Sequence, residues 1–335
     1  MQVFFDYDFM LEYIDYLDVS YVFGTEIRGS SPCETAKDMY MDDYKKIFWI
    51  SSYPRSGNTW LRLILCGLFF TKDGKIDNLD ILKKIPKLDS LNNFEFIKEI
   101  SINDYNLIFA NGAYDEETLV AYSKYWIEAQ KKIKINDGTY AFFKTHNARI
   151  KLKGNHYTSG LTTLGFIYIS RDPRDIVLSY STHTNKDIDS TIDLLSNDKI
   201  MGKQKTDNRM PEIILSWKDH YRSWKKFTAV PSLFLKYEYL LNDIEKEINK
   251  ITDFFHTNFH VEISNKNEKI KNVIKSTNFD NLKNMENKNS FFEKSEYSDF
   301  FRSGKTKQWK NELNQNQKNL IEQSCKNQMI ELGYM

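Results

Sequence analysis

Three short segments carry the residue types needed to hold an anion and to move a proton. Residues 53–60 read YPRSGNTW, two serines after the apolar run 47–50 and directly before LRLILCGLFF. That is a polar turn between a strand and a helix. Gly57 lets the backbone come close to an anion, Ser56, Asn58 and Thr59 add hydroxyl and amide donors, and Arg55 adds a full charge. The glycine-rich GxxxxGK[ST] signature is missing, and a turn whose Ser56 simply caps the helix would read the same way. Residues 168–183, YISRDPRDIVLSYSTH, again run from a strand through a charged turn into a helix. Arg171 lies at the strand end and Ser179 two helical turns on, so both could face one cluster of ligand oxygens, while Pro173 suits the first turn of a helix. Residues 142–146, FFKTH, place Lys144 and His146 two apart, on one side of an extended chain. A cation there would stabilise developing negative charge, and an imidazole would take a proton.

These residues need elements to position them. The pattern predicts strands at 47–52, 140–144, 164–170 and 233–237 and helices at 57–70, 117–134, 173–184, 211–227, 242–255, 266–276 and 314–332. Strands alternating with helices predict an α/β fold, a single domain whose central parallel sheet is flanked by helices, with ligands at the carboxyl ends of the strands. Residues 72–118 are polar with weak helices. Residues 185–208 are polar, charged and longer than an ordinary connection, a candidate lid or acceptor-side loop. Residues 1–45, aromatic and acidic, read as an N-terminal extension packed on a domain spanning 46–335.

Composition narrows the function. Forty-seven Lys and Arg face forty-six Asp and Glu, a formal charge of +1, so no global field points to nucleic acid or to an anionic membrane. Any basic site must be local. Cys33, Cys66 and Cys325 are far apart and lack CxxC spacing, which argues against a disulfide framework and against zinc. The longest apolar stretch, 60–70, is too short to span a membrane and carries Arg62, and the N-terminus opens with Asp6 and Asp8 where a signal peptide needs positive charge. The expectation is a cytoplasmic protein.

Taken in order, the three segments resemble the PAPS-dependent sulfotransferases of the cytosolic type, PAPS being 3′-phosphoadenosine 5′-phosphosulfate. Residues 53–60 match the family's YPKSGTTW, with Arg55 for Lys and Asn58 for the first Thr. Arg171 and Ser179 match its 3′-phosphate motif, and Lys144, Thr145 and His146 its KTH segment. Residues 301–309, FRSGKTKQW, match RKGxxGxW at Arg302, Gly304 and Trp309 and depart at Ser303, Lys307 and Gln308. Tyr237 and Glu238 fall on a Tyr-Glu pair, and Thr277 and Phe279 on cofactor-contacting positions.

The resemblance implies a P-loop-like sulfotransferase fold and roles for each match. Arg55, Ser56, Gly57, Asn58 and Thr59 would grip the 5′-phosphosulfate. Trp60 and Phe279 would sandwich the adenine, with Tyr237 and Thr277 beside them. Arg171, Ser179, Arg302, Ser303 and Gly304 would hold the 3′-phosphate. His146 would be the general base, titrating near the ordinary imidazole value of about 6.5, with Lys144 and Arg55 stabilising charge. PAP would be the product, no metal would be needed, and the acceptor would be a hydroxyl or amine-type nitrogen of a small molecule. The Lys, Asn and Ile bias suggests an AT-rich bacterial genome and hence a secondary metabolite. Of the family's dimer motif KxxxTVxxxE only Lys310 survives at 310–319, so that dimer mode is unsupported. Two other readings compete: a P-loop kinase, which should show the Lys-Ser/Thr pair absent here, and a silent PAP-binding homologue, which would be expected to lose Lys144 or His146.

Overall fold

The computed structural model describes residues 46–109, 114–135, 140–197, 209–288 and 291–335; the extension 1–45 lies outside them. Among the described residues the strands are β1 (Ile47–Ser51), β2 (Ala141–Thr145), β3 (Lys151–Leu152), β4 (Asn155–His156), β5 (Thr163–Ser170) and β6 (Ser232–Lys236). Four of them form one parallel sheet in the order β2-β1-β5-β6. The helices in its first half are α1 (Asn58–Phe69), α2 (Ile97–Ile100), α3 (Ile102–Phe109), α4 (Glu116–Ser123), α5 (Trp126–Lys131), α6 (Pro173–Thr184), α7 (Ile188–Ser196) and α8 (Trp217–Lys225). After β6 come α9 (Tyr237–Asn242), α10 (Ile244–Phe259), α11 (Lys266–Ser276), α12 (Phe279–Lys288), α13 (Trp309–Glu312) and α14 (Gln315–Glu331).

Both faces of the sheet are buried, and the two-residue period of a strand divides its side chains between two cores. Ile47, Trp49, Phe143, Phe166 and Tyr168 enter one core, with the α4–α5 region and α8. Phe48, Ile50, Phe142, Ile167 and Ile169 enter the other, with α1, α10 and α11. Exclusion of water from both sides makes these strands rigid platforms for the turns at their carboxyl ends, where α1 and α6 both start. No helix among the described residues is long and apolar enough to cross a membrane.

Several boundaries differ from the sequence expectation. The helix expected at 117–134 is two helices, because the chain turns at Lys124 and Tyr125. The helix expected from 211 starts only at Trp217, where Ser216 accepts the Asp219 N–H. Residues 212–215 stay non-helical so that the Ile213 N–H can donate to Asn147 Oδ1. Within the expected 185–208 loop, Asp187 caps the added helix α7. The hairpin β3–β4 was missed; its two turn residues, Lys153 and Gly154, both have positive φ, as tight hairpin turns require.

Candidate active site

One cleft of about 1550 Å³ opens at the carboxyl ends of the sheet strands, and every expected catalytic or cofactor-binding residue except Ser56 lines it. The turn after β1 is bent by two residues of positive φ, Arg55 at 65° and Gly57 at 98°. A Cβ on Gly57 would lie 2.6 Å from the Tyr237 ring, so only glycine fits beneath that ring. Gly57, not Ser56, is the N-cap of α1, and no side chain caps the helix. Ser56 Oγ is buried without a protein partner. The first-turn N–H groups of α1 are therefore not consumed by a side chain, which is the condition for holding an anion. The Asn58 amide braces the strand instead, donating to Ile50 O at 3.1 Å and Ser52 Oγ at 3.2 Å.

Arg55 donates from Nε to Ser179 Oγ at 3.0 Å and lies over the Phe300 ring. Burial, then Arg171 and Arg302 nearby, lower its pKa to about 10, which leaves it cationic. Arg171 donates to the carbonyls of Arg55 and Lys305, both at 3.2 Å, and stacks over Tyr237 at 4.5 Å. It thus ties the first motif to the last. That last segment is anchored by a residue no motif pointed to: Asp175 of α6 accepts the backbone N–H groups of Lys307 at 2.6 Å and Trp309 at 3.2 Å. Arg174 packs over the Trp309 ring at 3.6 Å. Gly304, at φ 61°, abuts Phe279, whose ring leaves no room for a Cβ. Trp60 donates from its indole to Thr277 O at 3.0 Å and meets the Tyr237 ring edge-on. Arg302 is exposed at the cleft, and Ser303 accepts from Gln308.

The FFKTH segment closes the other end of the site. His146 Nδ1 lies 2.8 Å from Ser52 O, and a carbonyl oxygen can only accept. The proton therefore sits on Nδ1, and Nε2 carries the lone pair. Burial, then Lys144, hold the imidazole well below its ordinary pKa, so it is neutral at neutral pH. A second, unforeseen histidine backs it. His220 Nε2 donates to His146 O at 3.1 Å while Tyr168 OH donates to His220 Nδ1 at 2.9 Å. Burial pushes the His220 pKa down to about 3. Its WxxH spacing on α8 was legible, but nothing local said that it would reach the β2 end. His183 lies edge-on to Phe300 along the same cleft.

Lys144, almost wholly buried, is lowered by that burial to about 8, against the raising effect of Glu293. Glu293 was also missed. Its Oε1 accepts from Arg62 Nη1 at 2.6 Å and Lys144 Nζ at 3.3 Å, and its Oε2 from Thr59 Oγ1 at 2.7 Å. Burial alone would raise this carboxyl; Lys144, Arg62 and the Thr59 hydroxyl outweigh it and hold it far below the carboxylate range. The wall beyond His146 is charged: Lys87 bonds both oxygens of Glu212, at 3.2 and 3.1 Å, and lies 3.5 Å from Asp89. Lys87, through its charge and its hydrogen bond, and then Lys144 overcome the burial of Glu212 and lower it to about 2.

The Sulfotransferase domain family model matches residues 45–333. The chain belongs to the sulfotransferase family. This sulfotransferase is 24% identical to cytosolic sulfotransferase 17 of Arabidopsis thaliana over 79% of this chain and 69% of that protein. It is 25% identical to sulfotransferase 1E1 of Bos taurus, covering 78% and 76%. Its fold is that of retinol dehydratase, solved with androsterone and the inactive cofactor PAP, at a TM-score of 0.54 and 20% identity over 84% and 80% of the two chains. Mouse sulfotransferase SULT7A1, complexed with PAP, gives 0.51 and 18% over 86% of each. The expected fold and reaction class, PAPS-dependent sulfuryl transfer, are thereby established.

Proposed function

We propose that the enzyme transfers a sulfuryl group from PAPS to a hydroxyl, or an amine-type nitrogen, of a polar small molecule, with His146 as general base. The observation that carries this reading is the His146 tautomer, in which Ser52 O holds the proton on Nδ1 and leaves Nε2 to receive one. The donor site fits its ligand: Ser56 Oγ and Arg171 Nε are buried without protein partners, and Gly57 and Gly304 stand where a Cβ would collide. PAPS supplies the sulfuryl group and, as PAP, the leaving group.

The chain's own residues supply the rest. The α1 N-terminus with Ser56, Gly57, Asn58 and Thr59 holds the 5′ end, and Arg171, Ser179, Arg302, Ser303 and Gly304 hold the 3′-phosphate. Trp60, Tyr237, Thr277 and Phe279 enclose the adenine. His146 Nε2 accepts the acceptor's proton while Lys144 and Arg55 stabilise the negative charge that grows on the oxygens around sulfur. The Lys87, Glu212 and Asp89 wall favours a polar acceptor over a steroid-like one, since a polar ligand can hydrogen-bond the polar atoms that an apolar one would only desolvate. We place that acceptor among bacterial secondary metabolites and the enzyme in the cytoplasm, where the free, buried Cys66 and Cys325 stay reduced.

A thermal-shift comparison of PAP, ATP and ATP with magnesium tests the donor. Stabilisation by PAP is expected, and a preference for ATP with magnesium would favour a kinase. Incubating cell extracts with PAPS and searching by mass spectrometry for an added sulfonate group then identifies the acceptor.

A further inference from the structure

Glu293 sits in the site as a ligand would. Its two carboxylate oxygens are met by three donors from two elements: Thr59 and Arg62 on α1, and Lys144 on β2. Arg62 is 2% exposed and Lys144 9%, so both cations lie out of water and require an anion. One carboxylate shared by two buried cations leaves an excess of positive charge in the cradle. A more highly charged anion would suit it better than Glu293 does. The Arg62 Nε is also buried without a protein partner, so this guanidinium is only partly satisfied where it stands. Phe292, next to Glu293, and Tyr297, four residues on, are largely exposed, whereas Phe291 is packed against Phe300 and Phe301. Apart from its three cradle bonds, the carboxylate is carried on a strip held at Phe291 and at Lys294, which pairs with Asp299 at 2.6 Å and lies 3.8 Å from Glu286.

We propose that Thr59, Arg62 and Lys144 form the cradle for the 5′-phosphosulfate end of the donor, its 5′-phosphate included, that Arg62 is a further residue of that site, and that Glu293 is a tethered anion which the donor displaces. This rests on PAPS being the donor. Displacement lowers the apparent donor affinity by the fraction of molecules in which Glu293 has left the cradle. It also gives Arg62 and Lys144 a paired state before the donor arrives.

Calorimetry on E293Q with two probes tests the proposal. PAP carries a 5′-phosphate that must enter the cradle, whereas adenosine 3′-monophosphate does not. E293Q should bind PAP about tenfold or more tightly than wild type, because a neutral amide competes poorly for Arg62 and Lys144. Its affinity for adenosine 3′-monophosphate should be unchanged. Adding R62M to E293Q should reverse the gain for PAP and leave the 3′-monophosphate alone. Unchanged or weaker PAP binding in E293Q, beside a wild type that binds PAP, overturns this proposal alone. Equal gains for both nucleotides overturn it too, since they would mean a general loosening of the cleft. A wild type that binds neither overturns the assignment of PAPS as donor together with it.

Discussion

At the scale of single residues, the chemistry turns on two side chains whose protonation is set by burial. His146 is held neutral, well below its ordinary value, so the fall in activity on acidification should lie below the pH of about 6.5 that an unperturbed imidazole would give. His146→Ala should leave PAP affinity nearly intact, lower kcat by roughly 10²–10⁴-fold for an alcohol acceptor and remove that acid limb. A variant with near-normal kcat would move the base elsewhere, His183 being the next imidazole along the cleft. Lys144 is the opposite case, a cation whose pKa is lowered to about 8. Its charge is present below that pH and is lost above it, so activity should decline on the alkaline side near pH 8. Lys144→Arg, which stays charged, should extend the plateau upward even if kcat falls. An unchanged alkaline limb in that variant would assign the limb to another group.

At the scale of elements, the 3′-phosphate half of the site depends on a clamp between α6 and the segment before α13. Two carboxylate oxygens of Asp175 take two backbone N–H groups of that segment, and Arg174 packs on its Trp309. Asp175→Ala would strand both N–H groups at about 1–3 kcal/mol each and release Arg302 and Gly304 from their places. PAP binding should then weaken by about tenfold or more. Adenosine 5′-phosphosulfate, which lacks the 3′-phosphate, should lose little. Equal losses for both nucleotides in calorimetry would show that the clamp supports the whole cleft.

At the scale of the whole molecule, the buried imidazoles of His146 and His220 are folded in their neutral form. The His220 pKa is about 3 in the fold, below the value of about 6.5 expected when unfolded. A depressed pKa means that the unfolded chain binds the extra proton first, so stability is full above about pH 6.5 and is lost as pH falls from there toward about 3. Between about pH 7 and about pH 5 this one group should cost about 2 kcal/mol, with His146 adding in the same direction. Urea midpoints at those two pH values check it. H220Q, whose amide can still donate to the His146 carbonyl, should show a smaller drop than wild type, and an equal drop would mean that His220 is already neutral or solvated in the unfolded chain.

The sequence by itself determined the alternation of strands and helices, the strand-turn-helix placement of YPRSGNTW and of the Arg171 segment, and the presence of Lys144 and His146 at a strand end. Those are local properties: apolar runs, a glycine in a turn and a proline in a first turn carry their own physical signal. The helix starts at Ser216 and Asp187 were locally encoded as well, but a distant need, Ile213 bonding Asn147, decided how much of 211–216 stayed extended. Only the tertiary structure decided which anion sits in the cradle and what stands behind His146. Glu293 meets Thr59 across 234 residues, and His220 meets His146 across 74. Neither partner has a local signature, because a loop carboxylate and a helix histidine look ordinary until the sheet order β2-β1-β5-β6 brings their elements to the same strand ends. Pairing of that kind is set by the exclusion of water from both faces of the sheet, which fixes where each loop must emerge, and not by the residues of the loop itself.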